Sequence, residues 1–237
     1  MRLLQLPPWE WWMWGVPLAT GWTWLCWAAA GEVKRRWQWR TGYTRKLIHL
    51  ATFLSACLVQ HLAGPDAVYV FGTGASLVLG FAVWRGDGHP IYEAMARDSD
   101  TPYRTRFILI PYATTVLGGM VATVGFGQWA ILGYLVGGLG DAVGEPIGVR
   151  FGRHRYRVPC FWVQATRSLE GSAAVLLVSL AGLLVGCRLL GIPVHGETLA
   201  VCAGIAALAA LAEACSPHGW DNLTMQIIPV WLAALWL

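Results

Sequence analysis

The sequence predicts an all-α fold, a polytopic membrane bundle of seven to eight transmembrane helices, and three observations support this prediction. Of the 237 residues, 56% are hydrophobic and only 13% are charged, whereas an ordinary soluble domain carries about 25% charged residues. The apolar residues are gathered in runs, and a spanning helix needs roughly 17 to 25 mostly apolar residues. Seven of the fifteen tryptophans lie between Trp9 and Trp27, as is typical of aromatic residues at a bilayer interface.

Each predicted helix is one such apolar run. The runs lie near 10–30, 47–64, 66–84, 107–125, 128–147, 171–188, 197–212 and 223–237. The last two are short, and Pro229 is expected to kink the final helix. No aqueous domain fits between the runs, because the longest polar segments lie near 31–46, 85–106 and 148–170 and are short. We therefore predict a single transmembrane domain over residues 1–237, with functional loops at these segments and near 213–222.

Basic residues predict the orientation of the chain. Fifteen of the seventeen lysines and arginines fall in alternate loops, and basic residues in short loops are retained on the cytoplasmic side. These residues are Lys34, Arg35, Arg36, Arg40, Arg45 and Lys46, then Arg85, Arg97, Arg104 and Arg106, then Arg150, Arg153, Arg155, Arg157 and Arg167. We expect an integral membrane protein, in a bacterial plasma membrane, whose positive cytoplasmic face can meet anionic headgroups or a polyphosphate.

An acidic pair lies in the stretch "GLGDAVGEPIGVRFG". Asp141 and Glu145 are four residues apart and share a face if the stretch is helical. Each carboxylate inside a spanning helix costs about 2.5 to 3.5 kcal/mol on insertion scales, and two like charges repel. A divalent cation would remove both penalties, although two solvated acids at a glycine-lined helix contact would also fit. Pro146 and the surrounding glycines predict that the helix breaks here, at the cytoplasmic surface.

A basic stretch, "VRFGRHRYRVP", follows the acidic pair and supplies Arg150, Arg153 and Arg155. Guanidinium groups bind phosphate oxygens in a two-pronged geometry. Such a loop at a membrane surface is also the ordinary signal for cytoplasmic retention. Its position directly after a candidate Mg²⁺ site favours a triphosphate ligand. No G-x-x-x-x-G-K-[ST] run is present, which excludes a P-loop as the phosphate cradle.

The segments "GDAVGEPIGVRFG" and "TRSLEGSAA" resemble two motifs of the CTP-dependent polyprenol kinases, the phytol kinase and dolichol kinase group. Three more segments resemble that family in order: "TRKLIHLATF", "HPIYEAMARDSDTPYRTRFILIP" and "EACSPHGWDNLTMQ". Together the five extend from Arg45 to Gln226. The chain departs from the family pattern at Pro146, at Gly144 where alanine is common, and at Arg167 where lysine is usual.

The resemblance implies a membrane kinase that transfers the γ-phosphoryl group of CTP to a prenyl alcohol such as phytol or geranylgeraniol. It implies Mg²⁺ as cofactor, held by Asp141, Glu145 and Glu170, and Asp141 and Glu170 are also counted among the catalytic residues. Nucleotide contacts are implied for Lys46, Arg150, Arg153, Arg155, Arg167 and Asn222. Asp221 or His49 is expected to deprotonate the lipid hydroxyl.

The residues alone leave simpler roles open for several of these positions. Lys46 suits a basic membrane anchor, and His49 suits the interface. Glu170 could serve as a first-turn partner of a helix dipole, and Asp221 could cap the final helix.

Two other classes of protein remain compatible with the sequence. Phosphatidate cytidylyltransferases share the D-x-x-A-x-x-x-G core but end in a K-R-x-x-x-x-K-D type signature, and this chain has no lysine after Lys46. A diacylglycerol kinase on the same scaffold is an alternative of the same kind. The other class is a non-enzymatic membrane scaffold or transporter with an anion site. The expected partners are a membrane lipid or prenyl alcohol and a nucleoside triphosphate. No nucleic-acid polymer is expected, and a homo-oligomer is compatible with the sequence.

Overall fold

The computed structural model describes residues 6–158, 165–217 and 219–237. These residues divide into two compact units, an N-terminal unit that ends at Leu109 and a C-terminal unit that begins at Ile110. Apart from one small hairpin, the described residues form helices and the turns between them. The prediction of an essentially helical membrane-type fold is therefore confirmed.

The N-terminal unit contains four helices. They are α1 (Trp9–Trp37), α2 (Thr41–Ala63), α3 (Ala67–Arg85) and the short α4 (Pro90–Met95). The predicted polar segment 31–46 is largely helical, because α1 continues through its basic last turn to Trp37 and α2 begins at Thr41. The segment 85–106 likewise contains α4 and a short 3₁₀ turn, Asp98–Asp100.

A polar cluster connects the helices of the N-terminal unit. Arg104 donates to the carboxylates of Asp87 and Glu93, the latter at 2.7 Å. Lys34 Nζ donates to Thr41 Oγ1 and to the backbone carbonyl of Glu93, both at 2.6 Å. Burial raises the pKa of Glu93, but hydrogen bonds from a backbone N–H and from Arg104 outweigh it and hold that pKa below its usual value. Glu93 therefore stays ionised, and the hydrogen bonds of this cluster tie α1 and α2 to α4.

In the C-terminal unit the chain folds back on itself after α5 (Arg106–Phe126). Gly127, at φ 57°, starts a 3₁₀ turn that leads into α6 (Ala130–Leu135). Tyr134 Oη lies 2.7 Å from Thr123 Oγ1, although eleven residues of straight helix would place them about 16 Å apart. The predicted runs 107–125 and 128–147 are therefore two helical segments that pack against each other.

A π-helical turn, Val136–Gly140, joins α6 to α7 (Asp141–Phe151). The predicted helix break at Pro146 is wrong, because α7 continues through this proline to Phe151. A proline removes one backbone N–H, and helices of membrane proteins tolerate that loss. The irregularity lies instead at the π turn, which immediately precedes Asp141.

The polar segment 148–170 forms more regular structure than a loop. It contains an antiparallel hairpin of β1 (Arg155–Val158) and β2 (Ala165–Ser168); the residues 159–164 of the predicted loop lie outside the described residues. Three helices follow: α8 (Leu169–Leu189), α9 (Gly196–Cys215) and α10 (Asp221–Trp236). The predicted loop 213–222 is a short turn between α9 and α10, and its residue 218 also lies outside the described residues.

Within the part of the chain that the structure describes, five helical segments are long and apolar enough to cross a membrane, judged by length and composition. They are Thr41–Ala63, Ala67–Arg85, Arg106–Phe151, Leu169–Leu189 and Gly196–Cys215. The third has 46 residues and includes the fold-back at Gly127. Neither α1, which carries five charged residues, nor the 16-residue α10 is among these segments. The predicted number of seven to eight spans is therefore not confirmed.

Helices α7 and α8 approach closely at glycines. A Cβ atom added at Gly171 would lie 2.7 Å from the carbonyl oxygen of Gly144, and one added at Gly144 would lie 3.0 Å from Val175 Cγ2. This contact favours glycine at position 144, since a methyl group there would press on α8.

Replacing Gly171 by Ala is expected to lower the free energy of unfolding by about 1 to 3 kcal/mol, because the new methyl group meets backbone that cannot yield cheaply. The measurement is the thermal unfolding midpoint of the purified protein in detergent. Gly204→Ala on α9 is the matched control, since a Cβ there meets nothing within 4 Å and alanine favours a helix. Equal midpoints for the two variants would show that α7 and α8 do not need this approach.

Candidate functional site

Three carboxylates converge in the C-terminal unit, and we call them the carboxylate cluster: Asp141, Glu213 and Asp221. One ligand oxygen from each lies within 4.8 Å of the others. Asp141 and Glu213 are each 6% exposed, and Asp221 is 9% exposed. Among the described residues, this is the group of acidic, histidine or cysteine side chains that could share one metal ion.

The ends of three helices bring the cluster together. Asp141 begins α7 directly after the π turn, Glu213 lies in the last turn of α9, and Asp221 begins α10. Gly144 on α7 lies next to Glu213, since a Cβ at that position would be in ordinary contact with Glu213 Oε1 at 3.8 Å. The positive end of the α10 dipole favours the carboxylate of Asp221. Three sequence-distant acids therefore meet because of helix packing.

The turn between α9 and α10 is fixed by side chains from both neighbouring helices and from α5. Ser216 Oγ donates to Ala212 O at 2.6 Å and lies 2.8 Å from Thr224 Oγ1. Thr114 Oγ1 on α5 donates to the carbonyl oxygen of Gly219 at 2.7 Å. Gly219 has φ 87°, a conformation that favours glycine. This short, well-tied turn sets the separation of Glu213 and Asp221.

Arg167 bridges two members of the cluster. Its Nε lies 2.9 Å from Glu213 Oε1, and its Nη2 lies 2.8 Å from Asp221 Oδ2. The guanidinium also donates to the carbonyl oxygen of Ser216 at 3.4 Å. Its side chain is 13% exposed, so these ion pairs are largely shielded from water. Arg167, one of the sequence-predicted nucleotide contacts, therefore lies directly at the cluster.

The donor set fits a divalent cation such as Mg²⁺. Three carboxylates and one guanidinium carry a net charge of −2, which one divalent cation would neutralise. Carboxylate and carbonyl oxygens are the ligands that Mg²⁺ prefers. Asn222, 5% exposed, donates its Nδ2 to Pro111 O at 3.0 Å, and its buried Oδ1 has no partner among the described residues. This hydrogen bond orients the side-chain amide of Asn222, the residue that follows Asp221 in the sequence.

The other two predicted metal ligands lie outside the carboxylate cluster. Glu145 is half-buried one helical turn after Asp141 on α7. Glu170, in the first turn of α8, is engaged by His154: the Nδ1 atom of His154 lies 2.8 Å from Glu170 Oε1. The four-residue spacing of Asp141 and Glu145 on one helix therefore did not identify all three converging acids. A metal role for Glu145 and Glu170 stays a prediction.

The hairpin places Arg167 and the arginines of β1 on opposite faces. Arg167 on β2 is paired with Tyr156 on β1, and side chains of directly paired residues lie on the same face of a sheet. Arg155 and Arg157 alternate with Tyr156, so they lie on the opposite face, where both are exposed. Arg150 and Arg153 are exposed as well. The phosphate contacts predicted for Arg150, Arg153 and Arg155 stay predictions.

Lys46 and His49 lie on α2 in the N-terminal unit. Both are half-buried. The imidazole of His49 is in contact with the ring of Phe53 one turn later, with ring centroids 4.5 Å apart. Their predicted roles as a phosphate contact and a proton acceptor stay predictions.

The acid that sequence reasoning left out of the metal set is Glu213. It occupies the last turn of an apolar helix, "AALAALAEAC", where it is the sole charged residue of that stretch. A lone carboxylate at the end of a spanning helix is costly. This cost was the feature of the sequence that could have pointed to a functional role for Glu213. Asp221, predicted as a proton acceptor, lies in the same cluster.

Comparison with known proteins identifies a relative of this chain. A phytol kinase from the cyanobacterium Synechocystis sp. is 30% identical over 206 residues, which cover 82% of this chain and 81% of the relative. No protein-family model matches the chain, and no solved structure matches it. The similarity extends over most of both sequences, so the chain belongs to the phytol kinase family.

Proposed function

We propose that this protein is a prenyl-alcohol kinase that transfers the γ-phosphoryl group of CTP to an alcohol such as phytol or geranylgeraniol. The observation that carries the proposal is the largely buried carboxylate cluster with its bridging arginine, in a chain similar to a phytol kinase. Phosphoryl transfer needs mainly positioning and neutralisation of charge. A shielded group of three acids and one guanidinium supplies residues for both.

The residues of the site have separate proposed tasks. Asp141, Glu213 and Asp221 would hold Mg²⁺, which when bound would neutralise phosphate charge. Arg167 would bind a phosphate oxygen of the nucleotide, because guanidinium and phosphate form charge-assisted hydrogen bonds. We also propose outer phosphate contacts for the exposed Arg150, Arg153 and Arg155, and for Lys46.

The alcohol proton needs an acceptor. Asp221 forms an ion pair with Arg167, and a carboxylate within hydrogen-bond reach of a hydroxyl can act as a general base. His49 is the second candidate, because the unperturbed pKa of histidine lies near neutrality. The prenyl chain would lie among the apolar helices, with its hydroxyl near the membrane surface.

The cytoplasmic face is the proposed side for the reaction, in a bacterial plasma membrane. Arg150, Arg153, Arg155 and Arg157 lie between Asp141 and Glu213 in the chain, and arginines in short segments are retained in the cytoplasm. CTP is also available on that side of the membrane.

Product analysis tests the proposal. The purified protein is incubated with Mg²⁺ and CTP labelled either in the γ-phosphate or in the cytidine, together with phytol, geranylgeraniol, diacylglycerol or phosphatidate. A kinase for prenyl alcohols gives a γ-labelled prenyl phosphate and labelled CDP. A cytidylyltransferase instead gives a cytidine-labelled lipid and pyrophosphate, and a diacylglycerol kinase labels diacylglycerol. Either of these results, or absence of labelled lipid with all four, would overturn the proposal.

Sealed vesicles of opposite orientation test the proposed side. CTP added outside inside-out vesicles should be consumed, and CTP added outside right-side-out vesicles should not. Asp141→Asn protein provides the background in both assays.

A further inference from the structure

We propose that Arg167 makes the carboxylate cluster selective for a metal–nucleotide complex over a free divalent cation. The inference rests on the proposed function and concerns how the site distinguishes its ligands. Arg167 acts here as the resident cation of the cluster, and it exchanges its carboxylate partners for phosphate when the nucleotide arrives.

The contacts of the guanidinium carry the first step. Two of the three carboxylates already pair with Arg167, at 2.9 Å for Glu213 and 2.8 Å for Asp221. The side chains of all three residues are at most 13% exposed, and opposite charges interact more strongly where water is excluded. A free divalent cation that enters the cluster therefore meets the positive charge of Arg167, which already pairs with the carboxylates of Glu213 and Asp221.

The surroundings of Arg167 carry the second step. Its backbone is fixed in β2 opposite Tyr156, and the hydroxyl of Tyr156 lies 2.7 Å from Ser172 Oγ. The side chain can turn while the strand stays in place. Leaving both carboxylates would strand a largely buried guanidinium, and a buried charge without a partner is strongly unfavourable.

A metal–nucleotide complex removes this obstacle because it supplies two replacements at once. Its cation takes over the carboxylates, and its phosphate oxygens accept the guanidinium in a two-pronged geometry. A free cation supplies only the first replacement. The cluster should therefore bind free divalent cations weakly until Arg167 is removed.

Binding of Mn²⁺ alone, without nucleotide, tests the inference. Free and bound Mn²⁺ are counted by electron paramagnetic resonance with purified protein in detergent. Arg167→Gln should bind Mn²⁺ about tenfold more tightly than the unsubstituted protein, because one opposing charge has been removed at close range. Arg157→Gln is the matched control: it removes an exposed arginine from the opposite face of the same hairpin, and its Mn²⁺ affinity should equal that of the unsubstituted protein.

A second substitution keeps the test decisive if Arg167→Gln does not fold. Arg167→Lys retains the positive charge but cannot bridge both acids with a planar fork, so its Mn²⁺ affinity should exceed that of the unsubstituted protein by a few-fold. Unchanged or weaker Mn²⁺ binding in the folded Arg167 variant overturns the inference and assigns the arginine a role in orienting the carboxylates. No Mn²⁺ binding by any variant overturns it as well.

This measurement is independent of turnover. If labelled prenyl phosphate forms but the Arg167 variants have unchanged Mn²⁺ affinities, the proposed exchange of partners by Arg167 is refuted and the kinase proposal stands. Tighter Mn²⁺ binding by Arg167→Gln without any labelled lipid would refute the kinase proposal and leave the exchange standing.

Discussion

Asp141→Asn is expected to lower kcat by about 10³-fold while leaving a folded, membrane-inserted protein. The substitution keeps the shape of the side chain but removes one charged ligand from the carboxylate cluster, and stabilisation of transition-state charge by a bound metal is worth several kcal/mol. Insertion should not suffer, since a carboxylate within a spanning segment costs about 2.5 to 3.5 kcal/mol. The measurements are kcat with saturating nucleotide and alcohol, and the thermal unfolding midpoint of the same preparation.

The matched control for this variant is Asp98→Asn. Asp98 belongs to the N-terminal unit, and its side chain is 92% exposed. It should retain the kcat of the unsubstituted protein. Near-normal kcat for Asp141→Asn would remove Asp141 from the metal site, whatever the control shows.

Asp221→Asn is expected to lower kcat by about 10²-fold or more, with a smaller change in the KM for nucleotide. Asp221 pairs with Arg167 through Oδ2 and accepts the N–H of Asn222 through Oδ1 at 3.1 Å, so an amide in its place weakens both the ligand set and the ion pair. Loss of an interaction made mainly in the transition state lowers kcat. Steady-state kinetics with nucleotide and alcohol varied separately provide both constants.

A structural role for Asp221 gives a different result. Asparagine caps helices about as well as aspartate, so a residue that only caps α10 would tolerate the change nearly silently. Glu170→Gln is the companion variant, because Glu170 was predicted as a metal ligand but contacts His154. The kcat of Glu170→Gln should stay within about threefold of that of the unsubstituted protein. A loss of kcat as large as that of Asp221→Asn would instead support Glu170 as a metal ligand.

The sequence predicted the parts of this molecule that depend on local pattern. Apolar runs placed the helices, and the fold-back lies between the runs 107–125 and 128–147, as expected. Asp141 and Asp221 were recognised because they belong to short motifs. The spacing of Asp141 and Glu145 pointed to a site on α7 but could not reveal Glu213, since an i, i+4 relationship describes one helix only.

The rest depended on packing between distant segments. Glu213 and Asp141 are 72 residues apart in the chain, and they meet because glycines let α7 approach its neighbours. The hairpin that carries Arg167 was not predicted, because the arginines of the segment 148–170 indicated only a positively charged loop. Pro146 predicted a break because a local rule disfavours proline inside a helix, but removing one backbone hydrogen bond did not end α7.

The ion pairs of Arg167 also bear on how the chain is made. Synthesis runs from the N-terminus, so Arg167 emerges from the ribosome before Glu213 and Asp221, which follow it by 46 and 54 residues. Arg167, the counter-ion of both acids, has therefore already been synthesised when the segment of either acid reaches the membrane. The order of residues along the chain therefore gives both late carboxylates a partner of opposite charge that was synthesised before them.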